Sequence, residues 1–159
     1  MKILLMRHGE AVRGDGMDEA RHLSRTGRHD TLAVARAMVP KLRGQRVSFV
    51  VSSHLVRAVQ TAEIAVHELT SAGVEIDPMV HADPIFEPDG PPRPAAQRLE
   101  KLALDHAPGI VLCACHEPIV RGIAACLTHQ SSFGHFATSG VILIDDGHPR
   151  WSLDPRSLG

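Results

Sequence analysis

Short apolar runs alternate with longer amphipathic stretches along this chain, and the alternation predicts a series of βα units. Lys2 to Met6, Val47 to Val51 and Ile110 to Ala114 read as strands of the buried type. Leu32, Ala35, Met38 and Val39 fall three or four apart and make one helix face. That helix opens at Ser24, a good N-cap, and is ended by Pro40. Leu55 to about Ser71 reads as a second helix closed by Gly73, Ala95 to His106 as a third and Pro118 to Leu127 as a fourth. Val74 to Ile85 holds a weaker extended segment interrupted by Pro78 and Pro84. Gly140 to Ile144 and Trp151 to Leu153 read as closing strands, and the Asp145-Asp146-Gly147 turn between them predicts an antiparallel pair. The fold class is therefore α/β, a three-layer αβα sandwich around a mixed, mostly parallel central sheet.

The size and composition add boundaries. A chain of 159 residues, 43% hydrophobic, suits one globular domain over 1–159 with a substantial core. The compositional break at Glu87 to Pro94 is short, which predicts a surface loop rather than a linker. Seventeen Lys and Arg balance eighteen Asp and Glu, so no long-range field favours nucleic acid or an anionic membrane as partner. The 11 histidines make the net charge sensitive to pH near neutrality. The amino terminus has no signal-peptide pattern, and no apolar run approaches the ~20 residues that cross a bilayer. A cytoplasmic protein with reduced thiols, acting as a monomer, is the expectation. Cys113 and Cys115 lie two apart on one strand and share a face; beside His116 no second Cys/His pair completes a four-ligand metal set, so packing is their expected role.

Three strand-to-helix junctions carry the candidate chemistry. Arg7 and His8 follow the first strand, with Gly9 breaking it. Ser52-Ser53-His54-Leu55-Val56-Arg57 follows the second, and Cys115-His116-Glu117-Pro118 the third. If the strands are parallel neighbours, the junctions meet at the sheet edge where open α/β sheets build their sites. Four groups able to carry positive charge repel one another there, and a bound dianion is the natural reason to gather them. A histidine at such a strand end can act as nucleophile, with the planar guanidinium forks of Arg7 and Arg57 holding an anion and His116 donating to it. Arg7 and Arg57 are expected to lower the pKa of His8 and so keep it deprotonated for attack. A backbone carbonyl is expected to fix its tautomer.

In these pieces the chain resembles the histidine phosphatase superfamily, also called phosphoglycerate-mutase-like. They are Arg7-His8-Gly9-Glu10, the Ser53-x-x-x-Arg57-Ala58-x-Gln60-Thr61 helix start and His116-x-Pro118. Arg21-x-Leu23-Ser24-x-x-Gly27 and Phe136-x-Thr138-Ser139 add a resemblance to the short SixA-type phosphohistidine phosphatases, and the ordered set runs from residue 3 to about 153.

The resemblance implies a phosphoglycerate-mutase-like fold and a metal-independent, cofactor-free phosphatase working through a phosphorylated His8. The substrate it implies is phosphohistidine on a signalling or phosphotransfer protein. The alternatives are a small-molecule phosphomonoesterase acting on a phosphorylated metabolite, and a noncatalytic phosphoprotein-binding module. Arg21 resembles a position that the branch keeps near the phosphate. Thr138 and Ser139 either line the pocket or start a strand, and Glu10 is expected to be structural. For a general acid, which many members of the superfamily supply from the middle segment, the nearest candidates are Glu87 and Asp89. The SixA-type branch has no obvious equivalent, and a leaving imidazole can be protonated beforehand. His54 departs from the family, where proline commonly follows the serine.

Overall fold

The computed structural model describes residues 1–14 and 16–158. Its six strands are β1 (Lys2–Arg7), β2 (Val47–Ser52), β3 (Val80–Ala82), β4 (Ile110–Cys115), β5 (Val141–Asp145) and β6 (His148–Leu153), in the sheet order β3-β2-β4-β1-β5-β6. β1, β2, β3 and β4 run parallel, whereas β5 and β6 are antiparallel additions at one side. The sheet is thus mixed and mostly parallel, as the alternating pattern predicts. Four α-helices join it: α1 (Arg25–Met38), α2 (Val56–Ser71), α3 (Pro92–Asp105) and α4 (Ile119–Leu127).

Alternation along the strands splits the core in two. Leu4 and Met6 of β1 pack with Leu112 and Ala114 of β4 against α1 and α2. Ile3 and Leu5 pack with Val111, Cys113 and Cys115 against α3 and α4. A central strand buried on both faces needs a continuous apolar run, which is what Ile110–Cys115 supplies. Each fully buried Leu, Ile or Met contributes roughly 1.5–3 kcal/mol. Both strand cysteines are fully buried, consistent with a packing role. No described helix is long and apolar enough to cross a membrane.

Local signals hold at most boundaries. Ser24 Oγ caps α1 by accepting the Gly27 N–H at 3.0 Å. Asp146 and Gly147 take positive φ values of 48° and 80°, the requirement of a two-residue hairpin turn. Three elements differ from expectation. α3 begins at Pro92 rather than Ala95, because proline is tolerated in the first turn, where N–H groups have no intrahelical partner. Gly122 of α4 makes room for that turn, since an added Cβ would lie 2.5 Å from the Pro92 ring. β6 begins at His148: its solvent-facing residues hide it from a hydrophobicity reading, and an edge strand tolerates Pro149. β3 is confined to three residues between Pro78 and Pro84.

Candidate active site

β4 lies between β1 and β2, and register brings the three carboxyl ends level, with Arg7 opposite Cys115 and Ser52 opposite Ala114. The chain leaves all three strands still bonded. His8 N–H donates to Cys115 O at 2.9 Å, and Ser53 N–H donates to Ala114 O at 3.2 Å. The expected convergence of the three junctions is therefore present.

His8 turns its Nδ1 onto the Gly9 carbonyl oxygen at 2.6 Å. That contact places the proton on Nδ1 and leaves Nε2, which makes no hydrogen bond among the described residues, with its lone pair. Gly9 is needed where it stands. Its N–H donates to Thr61 Oγ1 at 3.0 Å, and a Cβ there would lie 2.6 Å from Thr31 Oγ1 and 2.9 Å from the Gly27 carbonyl. Burial lowers the His8 pKa to about 4, with Arg57, Arg7 and Arg21 adding to the effect against the bond to Gly9. Desolvation thus does more than the arginines to keep His8 neutral, a change from the sequence expectation.

The cations are held by separate devices. Arg57, near the start of α2 and 5% exposed, donates from Nη1 to the Asp18 carbonyl at 2.9 Å and from Nη2 to the Asp18 carboxylate at 3.1 Å. Arg21 donates to the same carboxylate at 3.0 Å, and its Nε donates to Val12 O at 2.8 Å. Arg7 donates from Nη1 to Phe136 O at 2.7 Å, while its buried Nε has no partner among the described residues. The Phe136 peptide is itself fixed, because its N–H donates to Glu117 Oε1 at 2.9 Å.

His116 is 1% exposed, with its ring centroid 5.0 Å from that of His8. Its Nε2 lies 2.5 Å from Ser53 Oγ, and its Nδ1 is buried without a partner among the described residues. Burial, then the neighbouring His8 and Arg57, lowers its pKa to about 3. Two neutral imidazoles and two or three guanidinium groups around one space suit a tetrahedral dianion.

Other sequence candidates fall outside this cluster. Glu87 and Asp89 are exposed, and neither side chain bonds to the four central residues. Thr138 is half-buried and likewise makes no hydrogen bond or ion pair to them. Ser139 is buried behind the site, with Oγ 2.9 Å from Thr31 Oγ1 and its N–H donating to His8 O, so it braces the loop. Glu10 accepts from the Ser24 hydroxyl at 3.2 Å, a structural role. Asp18, Ser53 and Glu117 were missed as partners of the site. Ser53 and Glu117 stand inside the quoted motifs, but Asp18 sits in a polar loop with no local signal. Among the described residues no group of three or more His, Cys, Asp or Glu is placed to hold a metal ion.

Residues 3–81, which include Arg7, His8 and Arg57, match the family model of the histidine phosphatase superfamily (branch 1). No curated protein matches the chain by sequence. Among solved structures, the protein histidine phosphatase SixA complexed with tungstate superposes with a TM-score of 0.86 at 23% identity, covering 100% of each chain. The putative phosphohistidine phosphatase SixA from Agrobacterium tumefaciens gives 0.74 at 17% identity, covering 97% of this chain and 98% of the other. A phosphoserine phosphatase mutant from Entamoeba histolytica in complex with phosphoserine gives 0.69 at 17% identity, covering 94% and 93%. At these identities the likeness establishes the phosphoglycerate-mutase-like fold.

Proposed function

We propose that this chain, a member of the histidine phosphatase superfamily, hydrolyses phosphohistidine on a partner protein through a phosphorylated His8, without a metal ion. The observation that carries the reading is the His8 ring, with Nδ1 on the Gly9 carbonyl and Nε2 without a hydrogen-bond partner among the described residues, beside Arg7, Arg57 and His116. Nε2 attacks phosphorus, the N–P bond to the substrate imidazole breaks, and a phosphate–His8 bond forms. Arg7 and Arg57 bear the charge of the nonbridging oxygens, which is most of what phosphoryl transfer asks of a protein. Water then attacks the phosphorus, and His8 leaves as the neutral ring that its pKa favours.

The substrate class rests on proton supply. Among the described residues Asp18 is the carboxylate that bonds to Arg21 and Arg57, and these hydrogen bonds hold its pKa below the ordinary value, which suits it poorly to donate a proton. A leaving imidazole that carries its own proton needs no such donor, whereas an alkoxide does. The likeness to a phosphoserine phosphatase in complex with phosphoserine keeps a small phosphomonoester as the second reading.

The direct test is acid-sensitive trapping with labelled substrate, followed by mapping of the phosphate. Label on His8, lost in His8→Ala and formed undiminished with a chelator present, is the expected result. Label on a serine, cysteine or aspartate, or loss of activity with the chelator, would overturn it. Parallel kinetics on a phosphorylated histidine domain and a metabolite panel decide the substrate class. Phosphate binding without turnover of any of these would identify a binding module instead.

A further inference from the structure

Ser53 is fully buried, and three contacts fix it at the end of β2. Its N–H donates to Ala114 O at 3.2 Å, its carbonyl accepts from Ser52 Oγ at 2.7 Å, and its Oγ accepts the Leu55 N–H at 3.3 Å. The fourth contact joins Oγ to His116 Nε2 at 2.5 Å across the β2–β4 boundary. A hydroxyl carries one hydrogen and two lone pairs, and the Leu55 N–H already occupies one lone pair.

Two arrangements of the Ser53–His116 bond are possible. If Nε2 donated to Oγ, the hydroxyl hydrogen would be buried with no acceptor, and neutral His116 would carry a bare lone pair on Nδ1. A lone pair there repels any phosphoryl oxygen. If Oγ donates to Nε2, every group on Ser53 is satisfied and Nδ1 carries the hydrogen. Buried polar groups are nearly always paired, which decides for the second arrangement. His116 Nδ1 is then a buried N–H without an acceptor among the described residues, in a ring 5.0 Å from His8.

We propose that Ser53 is a positioning residue: its hydroxyl holds His116 as the Nδ1–H tautomer, the form that donates to a phosphoryl oxygen travelling between substrate and His8. This rests on the phosphatase reading for the identity of the anion, though not for the tautomer. Burial, with His8 and Arg57 beside it, lowers the His116 pKa to about 3, so in the unliganded site the ring is neutral at pH 7 and its tautomer sets whether Nδ1 presents a hydrogen or a lone pair.

The experiment is a long-range proton–nitrogen correlation spectrum of the uniformly labelled protein, with the His116 ring assigned by its loss in His116→Asn. Kinetics are measured on phosphoramidate and on a phosphorylated histidine domain. The wild type should show protonated Nδ1 and unprotonated Nε2 from pH 6 to 8. Ser53→Ala should lose that signature, with kcat falling about tenfold or more, the scale for removing a group that orients another. Ser53→Thr, which keeps a hydroxyl, should restore both.

A wild-type ring protonated on Nε2 would overturn the proposal without any variant. So would Ser53→Ala with the tautomer unchanged, whatever happens to its activity, because the loss would then be structural. A correct tautomer pattern in a protein that turns over neither substrate would sink the phosphatase reading and leave the Ser53–His116 assignment standing.

Discussion

Arg57 meets Asp18 twice, through the backbone carbonyl at 2.9 Å and the carboxylate at 3.1 Å. The contact joins the start of α2 to a short turn in the loop after β1, and the same carboxylate reaches Arg21. An anion already lies against two guanidinium groups, those of Arg57 and Arg21, that the proposed reaction would turn toward a phosphoryl group. Asp18 is exposed, so an anion arriving from solvent would compete with its carboxylate for Arg57.

Asp18→Asn should therefore bind inorganic phosphate or tungstate more tightly, by roughly threefold to tenfold at low salt, as expected for removing one charge near a partly solvated site. The gain should shrink as ionic strength rises. Titration calorimetry at two salt concentrations measures it. Weaker binding in the variant would mean that Asp18 orients Arg57 rather than competes for it.

Arg7→Ala and Arg57→Ala should each lower turnover by about 10²-fold or more, the scale for deleting a preorganised donor to developing charge. His8→Ala should abolish turnover yet keep much of the phosphate affinity, since the arginines remain. Single-turnover kinetics paired with equilibrium binding separates the two effects. Near-normal turnover in Arg7→Ala would place the anion away from β1.

The two site histidines tie stability to pH. His8 titrates at about 4 and His116 at about 3 in the folded chain, whereas an unperturbed imidazole titrates near 6.5. Between those values the unfolded chain holds more protons than the native one, so stability rises with pH there. It should be greatest above about pH 6.5 and fall toward pH 4, by up to about 1.4 kcal/mol per pH unit for each histidine. Urea midpoints at pH 7, 6 and 5 test this, and His8→Gln should flatten the slope. Activity should persist to about pH 5, because His8 is still neutral there.

Gly27 stands where a side chain cannot. A Cβ at this position would run into the Glu10 carbonyl oxygen, which is backbone and cannot swing aside. Gly27→Ala should cost about 1–3 kcal/mol or more, as overpacking does, and lower activity by moving the loop that follows His8. Thermal denaturation with kinetics at a permissive temperature gives both numbers. Unchanged values would show that α1 can slide.

Glu87→Gln should leave phosphohistidine hydrolysis close to wild type, because the Glu87 side chain is exposed and bonds to none of the four central residues. Equal, large losses on phosphohistidine and on a phosphomonoester would assign it a role in both reactions.

The apolar runs at Lys2 to Met6, Val47 to Val51 and Ile110 to Ala114 determined three strands, each one residue longer in the fold, since a strand buried on both faces has few other compositions open to it. A polar junction after each would gather Arg7, His8, Arg57 and His116 at one edge if the strands were parallel neighbours, a condition that the sheet meets. Ser24, Gly73 and Asp146-Gly147 announced their caps and turn because these depend on local backbone chemistry. Tertiary structure decided the rest. The order β2-β4-β1 brings Ser53 to His116, a pair 63 residues apart that no local pattern encodes. The loop after β1 folds back to seat Asp18 on Arg57, across 39 residues. Burial, which depends on every surrounding element at once, depresses both imidazole pKa values more than the arginines do. Residue type and local spacing set which groups reach the edge. Their tautomers, charges and partners depend on desolvation and long-range hydrogen bonds, which exist only once the chain has closed around them.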